Sequence, residues 1–557
     1  MSLRDPISLS RQPGDRPTAI VIGAGVAGMA AGSYLQMNGF DTRIFERHVL
    51  PGGSCTAWSR KGYVFDYCID WLDGCAPDND FNQVWRELGA LDGKTIKRFN
   101  QFNRVVDEQG QALSFYTEPD RLEQHLLALS PEDAPHIKTF CNDLRRFIKL
   151  DLSSGLKPAP LMSMSEKISK VLKILPSFRL FWRTGSTGMK AFSERMQHPL
   201  LSRAMNLIFS QAVPNYPVLT YLYCMASSSK GNSAFPQGGS LGLAKSIESR
   251  FLKLGGAIQY SARITRILVE NDRAVGIELK NGTRHYADYI VSAGDGRTTH
   301  YDLLEGKYLN PTLTKLYDDV LNRPDVLYPG LVSVFIGIKG DVASDEPHCT
   351  TYLLTPTEAE GLPSCGQGSL VVQLRSRYAD GFAPPGCSLL YCKYFTDFDY
   401  WDELKRTDKP AYRKRKQEVA EFICNFLAQR YPGFREQIEI VEVATPITHK
   451  RYTGNFKGAI LGWLSFSEAE DLANVQIKKH HMQVPGLKNL YLAGQWIGGG
   501  SLVLSAMSGR YAAQFICKAA NRAFQVSESN RKEAWDSTQI GQLPQLDEEL
   551  VLQGSSA

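Results

Sequence analysis

Residues 18–48, TAIVIGAGVAGMAAGSYLQMNGFDTRIFERH, leave a chain very few folds to adopt. Residues 19–22 read as a buried strand, and Gly23, Gly25 and Gly28 give GxGxxG. Residues 27–37 have helix-forming composition, with small side chains on the face turned toward the first strand. Residues 42–45 read as a second strand ending at Glu46. Gly23 permits the tight turn, Gly25 lets backbone approach a pyrophosphate, and Gly28 lets helix and strand pack closely. The helix N-terminus offers unpaired N–H groups and partial positive charge to phosphates. Glu46 lies where a carboxylate binds both ribose hydroxyls of an adenosine. A doubly wound, dinucleotide-binding α/β unit is expected.

The next stretch, ERHVLPGGSCTAWSRKGYVFDYCIDWLDG, narrows the cofactor. A glycine pair, Gly52 and Gly53, follows Glu46 and Arg47 closely, where a nicotinamide dehydrogenase would more often continue into its next strand–helix unit. The segment resembles FAD-dependent oxidoreductases, whose extended flavin crosses such a pair. Ser54 stands where many relatives carry a basic residue.

Residues 235–296 supply a helix (241–254), a glycine stop at Gly255 and Gly256, a short strand (257–260), a hairpin turning near Asn271 and Asp272, and a buried strand (289–293). With Phe235-Pro236-Gln237-Gly238-Gly239 at its start, this order resembles the phytoene desaturase, carotenoid isomerase and retinol saturase-like group of flavoproteins. VEVATPITHKRYTGNFKGAILGW (441–463) resembles the group's segment before its last flavin motif, through Thr445, Pro446, Tyr452, Gly454, Gly458 and Gly462. LYLAGQWIGGGSLVLSAMSGR (490–510) resembles that last motif: a strand, glycines and a helix start. The resemblance covers roughly residues 17–300 and 440–520.

It implies an α/β fold, with a three-layer Rossmann-like FAD-binding domain from residues 17–100, 235–300 and 450–522. An interleaved α+β substrate domain, with a mixed or antiparallel sheet, takes 101–234 and 301–449. Residues 523–557 read as a polar tail, flexible or a loose surface cover. The implied FAD contacts are Gly23, Gly25, Gly28, Glu46, Arg47, Gly52, Gly53, Ser54, Ile264, Gly494, Gln495, Gly500, Leu502 and Val503. Ile264 is expected near the adenine, Gly494 and Gln495 near the ribityl phosphate, and Gly500 onward beside the ring. Ser501, Leu502 and Val503 replace a proline-containing turn, and Cys68 replaces the glycine of an FDxG pattern.

The remaining sequence excludes more than it assigns. Eleven cysteines include no CxxC pair, and HExxH and GxSxG are absent, so neither a metal site nor a serine nucleophile is expected. A net charge of +5, spread along the chain, gives no nucleic-acid signature. The polar start lacks a signal-peptide core, and no run of apolar residues is long enough to span a bilayer, which suggests a cytoplasmic protein. No catalytic residue is assigned, because a flavin transfers hydride itself. Asp66, Asp70, Asp73 and His449 draw attention by position, whereas the adjacent His480 and His481 read as structural or solvated. Aromatic residues after Gly53 (Tyr63, Phe65, Tyr67, Trp71), around Pro214–Tyr223 (Tyr216, Tyr221) and at Trp463 and Trp496 fit either a long apolar tunnel or core. Residues 163–185 combine five basic side chains with a helical apolar stripe, which suits a membrane surface or a core-packed helix.

The expected function is an FAD-dependent oxidoreductase that desaturates, saturates or isomerises an extended apolar, polyene- or lipid-like substrate. Its electron acceptor is left open. A non-covalent amine oxidase-like enzyme and a flavin-binding protein without turnover stand as alternatives. A covalent flavin link at 490–510 is excluded, since that stretch has no cysteine.

Overall fold

Alternation along two short strands sets the architecture. Ala19 and Val21 of Thr18–Ile22, and Ile44 of Asp41–Phe45, face a helix layer, while Ile20, Ile22 and Phe45 face the opposite layer. A strand covered on both faces reads as an apolar run and suits a parallel sheet. The computed structural model describes residues 16–77, 79–150, 155–207, 216–323, 326–342, 345–366, 368–463 and 482–529. In it these strands join an all-parallel sheet in the order Leu490–Leu492, Tyr289–Ser292, Thr18–Ile22, Asp41–Phe45, Ala257–Gln259. Sequence-distant strands thus become neighbours.

One face of this sheet carries the helices Val26–Met37, Gly239–Lys253 and Leu502–Ala519. The other carries the antiparallel meander Ile264–Glu270, Arg273–Leu279, Arg284–Tyr286, completing three layers. Asn271 and Asp272 turn its hairpin at φ 49° and 54°, the left-handed pair that a two-residue hairpin requires.

A second, seven-stranded sheet runs Ile438–Ala444, Gly330–Lys339, Cys387–Thr396, Ser369–Leu374, Cys349–Leu353, Gln101–Val106, Ala112–Tyr116. It is mixed: only Cys349–Leu353 and Gln101–Val106 pair in parallel. The helix Lys409–Ala428 buries one face through Val419, Ile423 and Leu427. Helices between residues 119 and 229 form a separate core against the edge strands.

Two sequence expectations change here. The segment 163–185 forms the helices Met164–Ile174 and Phe178–Gly185, and the first buries no residue at all, so it is not a core-packed helix. Its capping box, Ser163 with Glu166, starts it without tertiary help. The tail is not loose where it begins. Gln525 N–H donates to Asn38 Oδ1 (2.7 Å), Ser529 N–H to the Arg86 carbonyl (3.0 Å), and Phe524 packs 6.0 Å from the Tyr34 ring. No helix among the described residues is long and apolar enough to cross a membrane.

Candidate active site

The glycine turn after the first strand is closed by short backbone bonds. Gly23 N–H donates to the Phe45 carbonyl and Gly52 N–H to the Ala24 carbonyl, both at 2.8 Å. Gly23 sits at φ +95° and Gly52 at +111°, so both positions need glycine. The helix Val26–Met37 starts at Gly25 with no side-chain cap and no acid in its first turn. Its first N–H groups are therefore left for whatever lies beyond Gly25. Glu46 is buried, its oxygens accepting from Ala24 N–H (2.7 Å) and His48 N–H (2.8 Å). Burial raises its pKa, and those two bonds pull back toward the charged form.

A cavity of about 390 Å³ opens here. Of the residues singled out by sequence, Gly23, Gly25, Glu46, Arg47, Gly52, Gly53, Ser54, Ile264, Gly494, Gln495 and Leu502 line it. Gly28 lies behind the wall: a Cβ there would overlap the Gly23 carbonyl, so its role is packing. Gly500 and Val503 line a second cavity, of about 270 Å³. The two cavities adjoin, since Ser54, Tyr67, Gln495, Leu502 and Ser505 line both. The N-terminal turn and the C-terminal helix thus flank two neighbouring lobes. Four buried polar atoms on the first lobe have no hydrogen-bond partner among the described residues: His48 Nε2, Thr56 Oγ1, His449 Nε2 and Trp496 Nε1. Uncapped helix N–H groups, glycine approaches and orphaned polar atoms along one elongated cavity fit a dinucleotide with a polar backbone.

His449 sits in this lobe with its ring 4.5 Å from that of Tyr67, and burial lowers its pKa to about 4, so the imidazole is neutral at physiological pH. Asp66 is structural. Its carboxylate accepts from Ser240 N–H (2.7 Å) and Oγ–H (2.6 Å) at the start of the helix Gly239–Lys253, and from Cys68 N–H (3.2 Å). Cys68, Asp70 and Asp73 line the second lobe. Among the aromatic residues, Tyr67 and Trp71 reach the lobes, as does Trp496. Tyr63 and Phe65 are core, and Tyr216 and Tyr221 belong to the helical core rather than to a tunnel. Trp463 donates its indole N–H to the Trp496 carbonyl (3.0 Å), behind the wall. Pro214, His480 and His481 lie outside the described residues. No cluster of metal-ligating side chains occurs among the described residues.

Sequence reasoning missed Asp295 and Glu442. Asp295 accepts from Thr298 N–H and Phe456 N–H, both at 2.8 Å, and so ties the end of a parallel strand to the Thr445–Gly458 region. Its place directly after a buried strand and Gly294 was the available signal. Glu442 faces the first lobe, paired with Arg60 at 3.0 Å. Burial, only partly offset by Arg60 and Lys416, raises its pKa to about 7. An unfolded glutamate titrates near 4.5. Between those values the folded state binds the extra proton, so this contribution to stability is full at low pH and is lost as pH rises toward 7. Glu442→Gln is expected to remove that slope. Denaturant unfolding at about pH 5 and about pH 7.5 should show the wild type losing roughly 2–3 kcal/mol relative to the variant. Equal losses in both proteins would refute the assignment.

A family model described as "Flavin containing amine oxidoreductase" matches residues 26–517. Among curated proteins, the chain is 24% identical over 452 residues to a chloroplastic prolycopene isomerase of Daucus carota, covering 79% of this chain and 71% of that one. It is 23% identical over 552 residues to an all-trans-retinol 13,14-reductase of Danio rerio, covering 92% and 87%. Among solved structures, an oxidoreductase from Methanosarcina mazei superposes with a TM-score of 0.54 at 16% identity, covering 90% of this chain and all of that one, which is a likeness of fold.

Proposed function

The chain belongs to the family of flavin-containing amine oxidoreductases, and from that premise we propose that it is an FAD-dependent enzyme that alters carbon–carbon double bonds in an extended apolar, polyene-like substrate. The observation that carries the reading is the pair of adjoining lobes: one that suits a dinucleotide shares the wall at Tyr67, Gln495 and Leu502 with a second, more apolar lobe. The relatives named as a prolycopene isomerase and a retinol reductase support the substrate class.

In this reading, the turn at Gly23 and Gly25 and the N–H groups of Val26 and Ala27 hold the pyrophosphate. Glu46 binds the adenosine ribose, with Arg47 beside it and Ile264 at the adenine. Gly52, Gly53 and Ser54 take the middle of the cofactor, and Gly494 and Gln495 its ribityl end. Gly500, Leu502 and Val503 border the ring, with Leu502 at the boundary between the lobes. When bound, the flavin supplies hydride transfer. The chain's own residues orient the polyene across the boundary between the lobes and exclude water, and His449, held neutral by burial, presents an uncharged imidazole to the first lobe.

The test incubates the flavin-loaded protein, with membranes, with a lipid extract and follows mass and retention. A change of two mass units reports desaturation or saturation. Altered retention at constant mass reports isomerisation. Flavin bleaching and peroxide release with small amines alone would replace this reading by an amine oxidase, and failure of every ligand to change the flavin would leave a binding protein.

The protein works from the cytoplasmic face of a membrane. Val171, Leu172, Phe178 and Trp182 stand exposed, Leu172 at 60% and Trp182 at 68%, on helices that also carry Lys167, Lys170, Lys173 and Arg179. Apolar side chains ringed by basic ones match an anionic lipid surface. Leu172→Ser with Trp182→Ser is expected to cut partitioning to anionic vesicles by about tenfold or more, given roughly 1.5–3 kcal/mol for each large side chain withdrawn from water. Unchanged flotation would remove the membrane from this reading.

A further inference from the structure

The second lobe mixes apolar side chains with polar ones, among them Asp73, Gln101, Asn103, Ser233 and His348, and it carries the ion pair of Asp70 with Lys393. The segment after Tyr67 presents Asp70 and Trp71 to it, and the mixed sheet answers with Gln373 and Lys393. Register explains why these two side chains converge. Lys393 pairs with Val371 across the ladder, and Gln373 is two residues further along, on the same face.

Asp70 Oδ2 is ion-paired with Lys393, and Oδ1 accepts from Gln373 Nε2–H at 3.0 Å, with Arg375 Nη2 3.7 Å away. Burial pushes the Asp70 pKa up, but Lys393, Arg375 and the hydrogen bond from Gln373 outweigh it and keep the carboxyl ionised. The Asp70 side chain is nonetheless 28% accessible, because it faces the lobe. The Gln373 amide donates to Asp70, and its carbonyl Oε1, on a residue only 2% exposed, has no partner among the described residues. Lys393 is 8% exposed and Arg375 fully buried. Arg375 is itself held by the carbonyls of Ile69 (2.8 Å) and Asp66 (3.0 Å).

A pure hydrocarbon would leave this ionic group desolvated against an apolar ligand. An ammonium would meet Lys393 at the lobe, with Arg375 buried behind it, while Asp70 is already paired with Lys393 and burial pushes the Asp73 carboxyl toward its neutral form. A carboxylate ligand would meet Asp70. A neutral hydroxyl both donates, to Asp70 or to Gln373 Oε1, and accepts, from Lys393. We infer that Asp70, Lys393 and Gln373 form a subsite for the hydroxyl of the substrate, so that this protein takes a polyene alcohol rather than a carotene-type hydrocarbon or an amine. The inference rests on the polyene reading above and names its substrate class.

The test uses the flavin-loaded full chain and three ligands of one skeleton: all-trans-retinol, the hydrocarbon lacking its hydroxyl, and the corresponding primary amine. Binding is read from quenching of protein fluorescence, because Trp71 lines the lobe, and turnover from flavin absorbance. The alcohol is expected to bind about ten- to a hundredfold tighter than either analogue, the range for a hydrogen bond to a charged group. Removing Lys393 alone would strand the Asp70 charge, so the variant is the neutral pair Asp70→Asn with Lys393→Met, alongside the milder Gln373→Leu. The double variant is expected to bind alcohol and hydrocarbon alike while keeping its flavin, and Gln373→Leu to lose part of the preference. Equal binding of alcohol and hydrocarbon by the wild type, tightest binding of the amine, or a preference that survives in the double variant each overturns the subsite. If the hydrocarbon is nevertheless turned over, the polyene reading stands without it. If no polyene binds and small amines reduce the flavin, both fall.

Discussion

Glu87→Ala is expected to lower the unfolding free energy by about 3–5 kcal/mol, the usual result of stranding a buried charge. Glu87 is fully buried and takes a forked pair from Arg510, Nε to Oε2 at 2.9 Å and Nη2 to Oε1 at 3.2 Å. Tyr34 O–H donates to Oε2 (2.7 Å) and Gln83 Nε2–H to Oε1 (3.0 Å), so four donors converge on one carboxylate. Arg510 lies on the C-terminal helix and Tyr34 on the first, so the cluster clamps the two chain ends that border the candidate flavin lobe. Truncation leaves Arg510, which is 5% exposed, without its counter-charge. Equilibrium unfolding in urea measures the loss. Glu87→Gln keeps the shape and part of the hydrogen bonding, and is expected to cost less than alanine. A loss below about 1 kcal/mol for alanine would mean that Arg510 finds water, as exposed pairs do.

Gly28→Val is expected to empty the protein of flavin. Its added Cβ would overlap the Gly23 carbonyl and crowd the Ala293 Cβ, so either the helix or the glycine turn must move. Overpacking of this kind costs roughly 1–3 kcal/mol, occasionally more. Here the displaced atoms are the turn that faces the cavity, so the same energy appears as an affinity loss of about tenfold or more. Gly276→Val is the matched control. A Cβ there would overlap the His285 carbonyl within the antiparallel meander, and neither residue lines the cavity. It is expected to lower stability comparably while retaining bound flavin. Flavin absorbance per protein after desalting separates the two cases, and equal flavin content in both variants would detach Gly28 from the turn's function.

Much of this site is written in short stretches of sequence. The GxGxxG turn, the acid at Glu46, the glycine pair and the helix start after Ser501 all depend on neighbours within a few residues. Periodicity, turn chemistry and capping are readable at that range. The Asn271–Asp272 hairpin was legible for the same reason. Aromatic residues were less so. Tyr67 and Tyr221 are equally apolar in sequence, yet one borders both lobes and the other fills a helical core, because only packing decides which face meets a cavity. The basic helix posed the converse problem. Its stripe of Ile168, Val171, Leu172 and Leu175 suits burial, and only its exposure, with no described residue covering it, turns the stripe outward.

By itself, then, the sequence determined a dinucleotide-type α/β unit with its glycine turn, and a kinship with flavin enzymes of polyenes, since each rests on local spacing. Tertiary structure alone decided that the second lobe adjoins the first at Tyr67 and Gln495, that Glu87 clamps Arg510 from 423 residues away, and that Asp70 meets Lys393 across 323. Strand order in the two sheets creates those pairings, and no periodicity along the chain encodes which distant strand will lie beside another.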